Sequence, residues 1–324
     1  MQRRHILRHA ALVGLLGLSA TAGAQDAYPS KPITLVVPQA AGSGSDIVAR
    51  LLARELQREF NATVVVDNKP GGNGAIAAQA VARAAPDGYT LLMGTATTNA
   101  ANFAFYPGKL GYEPGSFEVV GLLAASPMTL LVTAESPWKT VADLIADAKK
   151  QPAKMNCGAG IATAQVACEL LAKINGLQTA TVNYRSSPQS LTDLAGGQVQ
   201  FAIADMAVAS GLVAGKKLRA LGVIGPVREA LWPEVPTMME LGMADFQITG
   251  WAGVFAPAGT PRAVLEKLNP VLIKANDAPE FVKSRASTGG RALNFALPAA
   301  QQFVRSEVER WQRLYRDSGV KLEF

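Results

Sequence analysis

Ile33–Val37, ITLVV, is an unbroken run of β-branched and leucine residues, short enough to be one strand and apolar enough to be covered on both faces. A small-residue loop, Pro38–Ser45, follows at once. Asp46 then opens a helical pattern, placed to cap a helix whose apolar face takes Ile47, Leu51 and Leu52. Such a strand needs helices on both sides of its sheet, which points to a parallel α/β architecture. The junction also presents unpaired helix N–H groups and the positive end of a helix dipole, a natural seat for a carboxylate or phosphate. The loop reads GSGSD, without the spacing of a dinucleotide fingerprint or the Lys-Ser/Thr pair of a nucleotide P-loop, so a nucleotide is not indicated. A glycine-rich turn that binds nothing fits the same residues.

The rhythm repeats along the chain. Ala62–Val66 predicts a second strand, Asp67–Gly74 a glycine loop, Ala75–Ala85 a helix and Tyr89–Met93 a third strand, a βαβαβ order that implies right-handed crossovers. Gly94–Tyr106 is rich in Thr and Asn and reads either as a second ligand loop or as a polar-capped helix start. The apolar segments Val119–Leu123 and Thr129–Thr133, split by Ala125-Ser126-Pro127, mark the first crossing to a second domain. There the pattern resumes: helix Val141–Lys149, strand Lys154–Cys157, loop Gly158–Thr163, helix Ala164–Ile174, strand Thr181–Tyr184, and a helix capped by Ser186 or Ser187 that stops at Gly196-Gly197. Phe201–Ala204 and Leu218–Val223 are further strands around a helix at Ala207–Ala214. Thr249–Phe255 is the return crossing, Thr260 caps a helix begun by Pro261, and helices near Pro279–Ser287 and Pro298–Tyr315 close the chain, with Trp311 and Leu314 as packing anchors.

Arg3, Arg4 and Arg8 before an apolar run, and Ala22-Gly23-Ala24 after it, have the form of a cleaved export signal over residues 1–24; Arg3-Arg4 also resembles a twin-arginine signal. Cleavage would take the formal charge from +6 to +3, too mild to suggest a nucleic-acid partner. It would also remove both histidines, His5 and His9, leaving no imidazole for a triad, a metal site or ordinary acid–base catalysis. A Ser–Lys pair using Lys69 is the remaining enzymatic option, and nothing around Lys69 suggests a lowered pKa. The expectation is therefore a periplasmic protein with no enzyme activity, cofactor or metal. Cys157 and Cys168, at a strand end and inside the next helix, are read as two buried thiols in preference to a disulfide.

Gln39–Asp46, Gly158–Thr163 and Arg185–Pro188 each follow a strand and precede a helix, the position at which open α/β sheets collect ligands. Backbone N–H groups with Ser43, Ser45, Thr163 and Ser187 could satisfy a carboxylate directly or through water. Arg185 is either a carboxylate partner or solvent-facing. Asp46 and Asp205 are either caps or pocket residues that would repel an acid and receive an amino group. Phe103, Phe105 and Tyr106 either line a cleft or pack a core.

Several separated motifs then resemble one family. They are Tyr28-Pro29-Ser30-Lys31-Pro32-Ile33, VVPQAAGSGSDIVAR at Val36–Arg50, NKPGGNG at Asn68–Gly74, APDGYTLL at Ala85–Leu92, VNYRSSPQSLTDLAGGQVQ at Val182–Gln200, KLRALGV at Lys217–Val223, VPTMMELG at Val235–Gly242 and FAPAGTP at Phe255–Pro261. In this order they resemble the TctC-like solute-binding proteins of tripartite tricarboxylate transporters, the Bug proteins of Bordetella. The resemblance implies a type II periplasmic-binding-protein-like Venus flytrap of two α/β lobes joined by a double-crossing hinge. Lobe one is expected over 25–124 plus 248–324 and lobe two over 125–247. It implies a small carboxylate ligand, a membrane permease as partner and a monomer, with a signalling receptor of the same fold or a histidine-independent hydrolase as alternatives. Its ligand contacts fall on Gln39, Ala41, Gly42, Ser43, Asp46, Gly72, Thr95 and Asn99 in the first lobe, and on Gly160, Thr163, Tyr184, Ser187 and Asp205 in the second. Gln39 and Ser43 stand where the family tends to have an aromatic residue and a glycine, so the ligand of a relative does not transfer directly.

Overall fold

The computed structural model describes residues 28–244 and 246–320; the expected export signal lies outside them. In chain order the elements are β1 (Ile33–Val37), α1 (Gly44–Phe60), β2 (Val64–Asn68), α2 (Ala75–Ala82), β3 (Thr90–Thr95), α3 (Asn102–Phe105), β4 (Phe117–Thr133), α4 (Val141–Lys150), β5 (Asn156–Ala159) and α5 (Ala162–Asn175). There follow β6 (Ala180–Asn183), α6 (Ser187–Ala195), β7 (Phe201–Asp205), α7 (Met206–Ala214), β8 (Leu218–Ile224), β9 (Thr249–Pro257), α8 (Arg262–Asn276), α9 (Pro279–Thr288), β10 (Arg291–Ala292) and α10 (Leu297–Ser318).

Two sheets share one long strand. In the first, β2, β1 and β3 are parallel and β9 lies antiparallel between β3 and the first part of β4. In the second, the last part of β4 runs antiparallel between β8 and β7, beyond which β5 and β6 are parallel to β7. The junction on β4 is sharp. Pro127 makes the last pair with β9, opposite Thr249, and Met128 the first with β7 and β8. Proline has no N–H to give a ladder, and it sits where the strand changes partners. The return is equally abrupt: the Ile248 N–H donates to the Ile224 carbonyl of the second sheet while Thr249 already pairs in the first.

This register determines where the loops go. β3 runs in the same direction as β4 and ends at Thr95, opposite Ala252, which in turn pairs with Ala124. β7 runs against β4 and ends at Asp205, opposite Met128. The carboxyl ends of both parallel strand sets therefore approach the crossing from opposite sides, four residues or about 13 Å apart along β4. One apolar core continues through both sheets, taking in Val36, Leu92, Leu130, Ile203, Phe255 and Trp311. α10 packs against the 97–101 turn, α3 and α5, so it spans the back of both sheets. Trp311 is fully buried on it and Leu314 nearly so, the anchoring expected of them.

The structure corrects several expectations. Ala125-Ser126-Pro127 is no break, because β4 runs through it. The second strand begins at Val64, two residues late, where it pairs with Ile33. Ile47 is exposed beyond the α1 core face. Thr260 does not cap α8: its hydroxyl donates to the Pro257 carbonyl and Pro261 holds the cap position. Cys157 and Cys168 form a disulfide, because the second turn of α5 lies over β5 and brings the two Cα atoms to 6.0 Å, within bridging reach.

Candidate functional site

The first wall of the crossing is organised around Asp46, which the structure removes from the cap position. Ser43 caps α1, its hydroxyl accepting the Asp46 N–H at 3.3 Å. Gly42, at φ +82°, makes the left-handed step that a side chain would resist. The Asp46 carboxylate reaches back to accept the Gly42 N–H at 2.9 Å, Asn68 Nδ2 at 3.0 Å, Arg50 Nε at 3.0 Å and Arg50 Nη2 at 2.9 Å. Burial alone would raise its pKa, but Arg50, Gly42 and Asn68 together hold it below the ordinary carboxylate range. Asn68 also donates to the Gln39 carbonyl at 2.9 Å, and the Gln39 side chain accepts the Ser45 hydroxyl. Asp46 is thus the support beneath the loop. The loop residues open toward solvent are Gln39, Ala40, Ala41, Gly42, Gly44 and, in part, Ser43. The first amides of α1, on Gly44 and Ser45, precede any helical carbonyl able to accept them.

The other two loops of this wall lock onto the first. A Cβ on Gly74 would stand 2.5 Å from Thr98 Cγ2 and 2.9 Å from Pro38 Cβ, so the three loops converge on that glycine. Gly72 is exposed at the start of a short 3-10 turn, Gly72–Gly74. The Thr/Asn stretch is helical, a π turn at Thr97–Ala101 continuing into α3. Thr95 stays partly exposed, its N–H donating to Thr98 Oγ1 at 2.9 Å. Asn99 is buried, and its side-chain oxygen accepts the Thr98 hydroxyl at 2.6 Å. Phe105 and Tyr106 belong to the core, with Phe105 against Trp311 and Tyr315, and Phe103 packs edge-on to Tyr112.

The second wall is built by close backbone packing. A Cβ on Gly160 would lie 2.2 Å from the Ser187 N and 2.3 Å from the Ser186 carbonyl carbon, so only glycine permits the loops after β5 and β6 to touch. Ser186 caps α6 and Ser187 is its buried first residue. α5 starts from Ile161 without a side-chain cap, which leaves the Ala162 and Thr163 amides for an outside acceptor. Thr163 is buried there. Tyr184 is partly buried, its pKa raised by burial and by its hydroxyl's interaction with Asp193. Arg185 is exposed, as in the solvent-facing alternative. The disulfide lies under this wall, and its ring contains Gly160 and Thr163.

Asp205, half-buried at the end of β7, differs from Asp46 in every respect. Among the described residues no ion pair is found for it; burial pushes its carboxyl up to about 6, opposed by a hydrogen bond from its own backbone N–H. Its Oδ1 would be 3.2 Å from a Cβ on Gly250, and the Ser126 carbonyl oxygen 3.3 Å from the same point. Among the described residues the buried Ser126 hydroxyl has no hydrogen-bond partner. Ser126, Gly250 and Gly74 escaped sequence reasoning; an interior strand serine beside proline is the one signal that could have marked the first. A separate surface cavity of about 550 Å³ lies at the far end of β4, lined by Lys139, Lys216, Arg219 and Trp232. Its Arg219 is spent on the carbonyls of Ala134, Ser136 and Trp138. Lys69 pairs with Asp67 at 2.9 Å, which leaves no Ser–Lys dyad there.

The N-terminal ends of α1, α5 and α6 thus lie on the loops beside the crossing among small neutral groups, and Asp205 precedes α7 there. Such a site favours an anion through oriented amides and helix dipoles.

Comparison with known proteins gives this arrangement its relatives. The model of the tripartite tricarboxylate transporter family receptor matches residues 48–320. A protein encoded in the tcbD–tcbE intergenic region of Pseudomonas sp. (strain P51) is 36% identical over 315 residues, covering 96% of this chain and 93% of that protein. Among solved structures, Rpa4515 of R. palustris with adipate superposes with a TM-score of 0.81 at 31% identity, covering 91% of this chain and 99% of that one. MatC of Rhodopseudomonas palustris with bound malate gives 0.78 at 30% identity, covering 89% of this chain and 100% of that one. The fold is accordingly the type II periplasmic-binding form of two α/β lobes. On these matches the chain belongs to the tripartite tricarboxylate transporter family of receptors.

Proposed function

We propose that this chain is a periplasmic receptor that captures a small carboxylate between its two walls and presents it to a membrane permease of the tripartite tricarboxylate type. The observation that carries the reading is the convergence of helix N-termini from both sheets on one crossing made of two strands. Relatives of this family accommodate adipate and malate, both acids that such a frame suits. The first wall contributes the Gly44 and Ser45 amides with Ser43, Ala41 and Gly72; the second contributes the Ala162, Thr163 and Ser187 amides. Asp46 and Asn99 act from behind, by fixing the loops. Hydrogen bonds from amides to a charged carboxylate are worth about 1.5–3 kcal/mol each, so two or three of them hold an acid without a paired cation.

The hinge is β4 with the start of β9, which supports lobe boundaries near 124 and 248. Export by a cleaved signal over residues 1–24 and action as a monomer complete the proposal. Ligand binding drives closure only as far as the closed state binds the acid better than the open one.

Isothermal titration of stripped protein against mono-, di- and tricarboxylates, with their amides as controls, tests the reading. Saturable binding of at least one acid and none of its amide is the expected result. No saturable binding across the panel would overturn it. Ser43→Trp should weaken that binding at least tenfold with unchanged circular dichroism.

A further inference from the structure

We propose that Asn102 and Tyr112 are positioning residues for ligand capture: buried behind the first wall, they tie the Gly72–Gly74 turn to the Thr97–Ala101 turn, so that losing them weakens acid binding without removing a ligand contact. The proposal rests on the carboxylate reading above and adds to it residues that the ligand does not touch.

Asn102 is fully buried at the start of α3. Its Nδ2 has two hydrogens and two acceptors, donating to the Asn73 carbonyl at 3.1 Å and to the Tyr112 hydroxyl at 3.2 Å. Tyr112 passes the link on, its hydroxyl donating to the Thr98 carbonyl at 2.9 Å. Burial pushes the Tyr112 phenol up to about 12, so at neutral pH the hydroxyl keeps the proton it donates. One relay thus runs from the second loop of this wall to the third. At one end Asn73 takes the left-handed φ of +50°, and its own Nδ2 donates to the Tyr106 hydroxyl at 2.7 Å. At the other, Thr98 Oγ1 accepts the Thr95 N–H. Gly72, exposed, and Thr95, partly exposed, are where these loops open to solvent, and each lies beside one end of the relay.

Stability alone does not explain an amide at this place. The Asn102 Oδ1 is buried with no hydrogen-bond partner among the described residues, a cost that an apolar side chain of the same size would avoid. Ala101, Ala104 and Phe105, its neighbours in sequence, all belong to the apolar core. What Asn102 adds is direction, two N–H bonds that set one turn against the other. Loops held in the binding arrangement before the ligand arrives lose less conformational freedom when it binds.

A second buried asparagine provides the comparison. Asn269 on α8 also donates to two carbonyls, those of Val120 at 2.9 Å and Phe295 at 3.3 Å, but both lie outside the ligand loops. Stripped wild type, Asn102→Leu, Tyr112→Phe, the double variant and Asn269→Leu are titrated calorimetrically with mono-, di- and tricarboxylates, and their urea midpoints are measured alongside. Tyr112→Phe deletes one oxygen and keeps the ring packed on Phe103 and Phe117. The acid that wild type binds should bind about tenfold more weakly to Asn102→Leu and about threefold more weakly to Tyr112→Phe, and the double variant should fall short of the product of the two. Asn269→Leu should lower the urea midpoint and leave affinity unchanged. In ligand-free Asn102→Leu the Gly74 and Thr95 amides should exchange faster than in wild type, and a saturating acid should slow them again. Unchanged affinity in folded Asn102→Leu and Tyr112→Phe, or a loss in Asn269→Leu as large as theirs, overturns the proposal and leaves the carboxylate reading intact. If Asn102→Leu does not fold, Tyr112→Phe decides, with the same exchange measurement. No acid bound by wild type overturns both.

Discussion

The two walls of the cleft reach the same outcome, helix amides held toward a crossing, by different physics. In the first, an acid is the scaffold: Asp46 gathers Gly42, Asn68 and Arg50, and its loop turns on Gly42, around which nothing stands within 4 Å of a added Cβ. In the second, shape is the scaffold: Gly160 lies against the Ser186–Ser187 backbone, a disulfide ties the strand to the helix, and the acid at its end, Asp205, accepts its own backbone N–H and gathers no second loop among the described residues. One glycine is needed for its backbone angle and the other for its lack of volume.

Substitutions can separate these two designs. Gly160→Ala should have the largest effect, because backbone on both sides must move to admit a methyl group; we expect a loss of about 3 kcal/mol in urea unfolding and at least tenfold weaker ligand binding. Gly42→Ala, with space but the wrong φ, should cost only about 1 kcal/mol. Equal costs would erase the distinction between the walls.

Removing the disulfide with Cys157→Ser and Cys168→Ser together should cost close to the loop-closure value for an 11-residue separation, about 3 kcal/mol. If the ring mainly fixes the second wall, ligand affinity should fall in the same variant even where it is fully folded. An unchanged denaturation midpoint would contradict this.

The two acids should respond oppositely to pH. Asp205 holds its proton more tightly folded than unfolded, since its carboxyl rises from 3.8 to about 6. Its burden on stability is present above pH 6 and is relieved as pH falls from about 6 toward 4. Asp46 is depressed, so its contribution is present above about pH 4 and is lost below that, as pH falls through its folded pKa. Asp205→Asn should therefore flatten the stability profile between pH 6 and 4, and Asp46→Asn should flatten it below pH 4. Paired thermal melts across pH 3–7 distinguish the two, and a common window for both would show that Asp205 is not set apart from Asp46.

Much of this arrangement is legible in the sequence because local pattern and tertiary position agree. ITLVV is a buried strand in isolation and in the fold, and Ser186-Ser187-Pro188 starts a helix as its residues prefer. What is not legible depends on partners far along the chain. Asp46 reads as a cap until Asn68 and Gly42 are seen to converge on it, although Ser43-x-x-Asp46 has capping-box spacing and could have moved the cap to Ser43. Pro127 reads as a break because local rules do not know that β4 trades β9 for β7 and β8 there. Cys157 and Cys168 read as separate because their approach is set by how α5 lies on β5. The donor and acceptor roles of the site residues likewise rest on which hydrogen bonds the fold has already used.

Hydrogen exchange at backbone amides, with and without a saturating carboxylate, tests the central claim most directly. If one acid is held between both walls, the amides of Gly44 and Ser45 and those of Thr163 and Ser187 should gain protection together and at the same ligand concentration. Protection confined to one wall, or appearing instead around Lys139 and Arg219 at the far end of β4, would contradict the account.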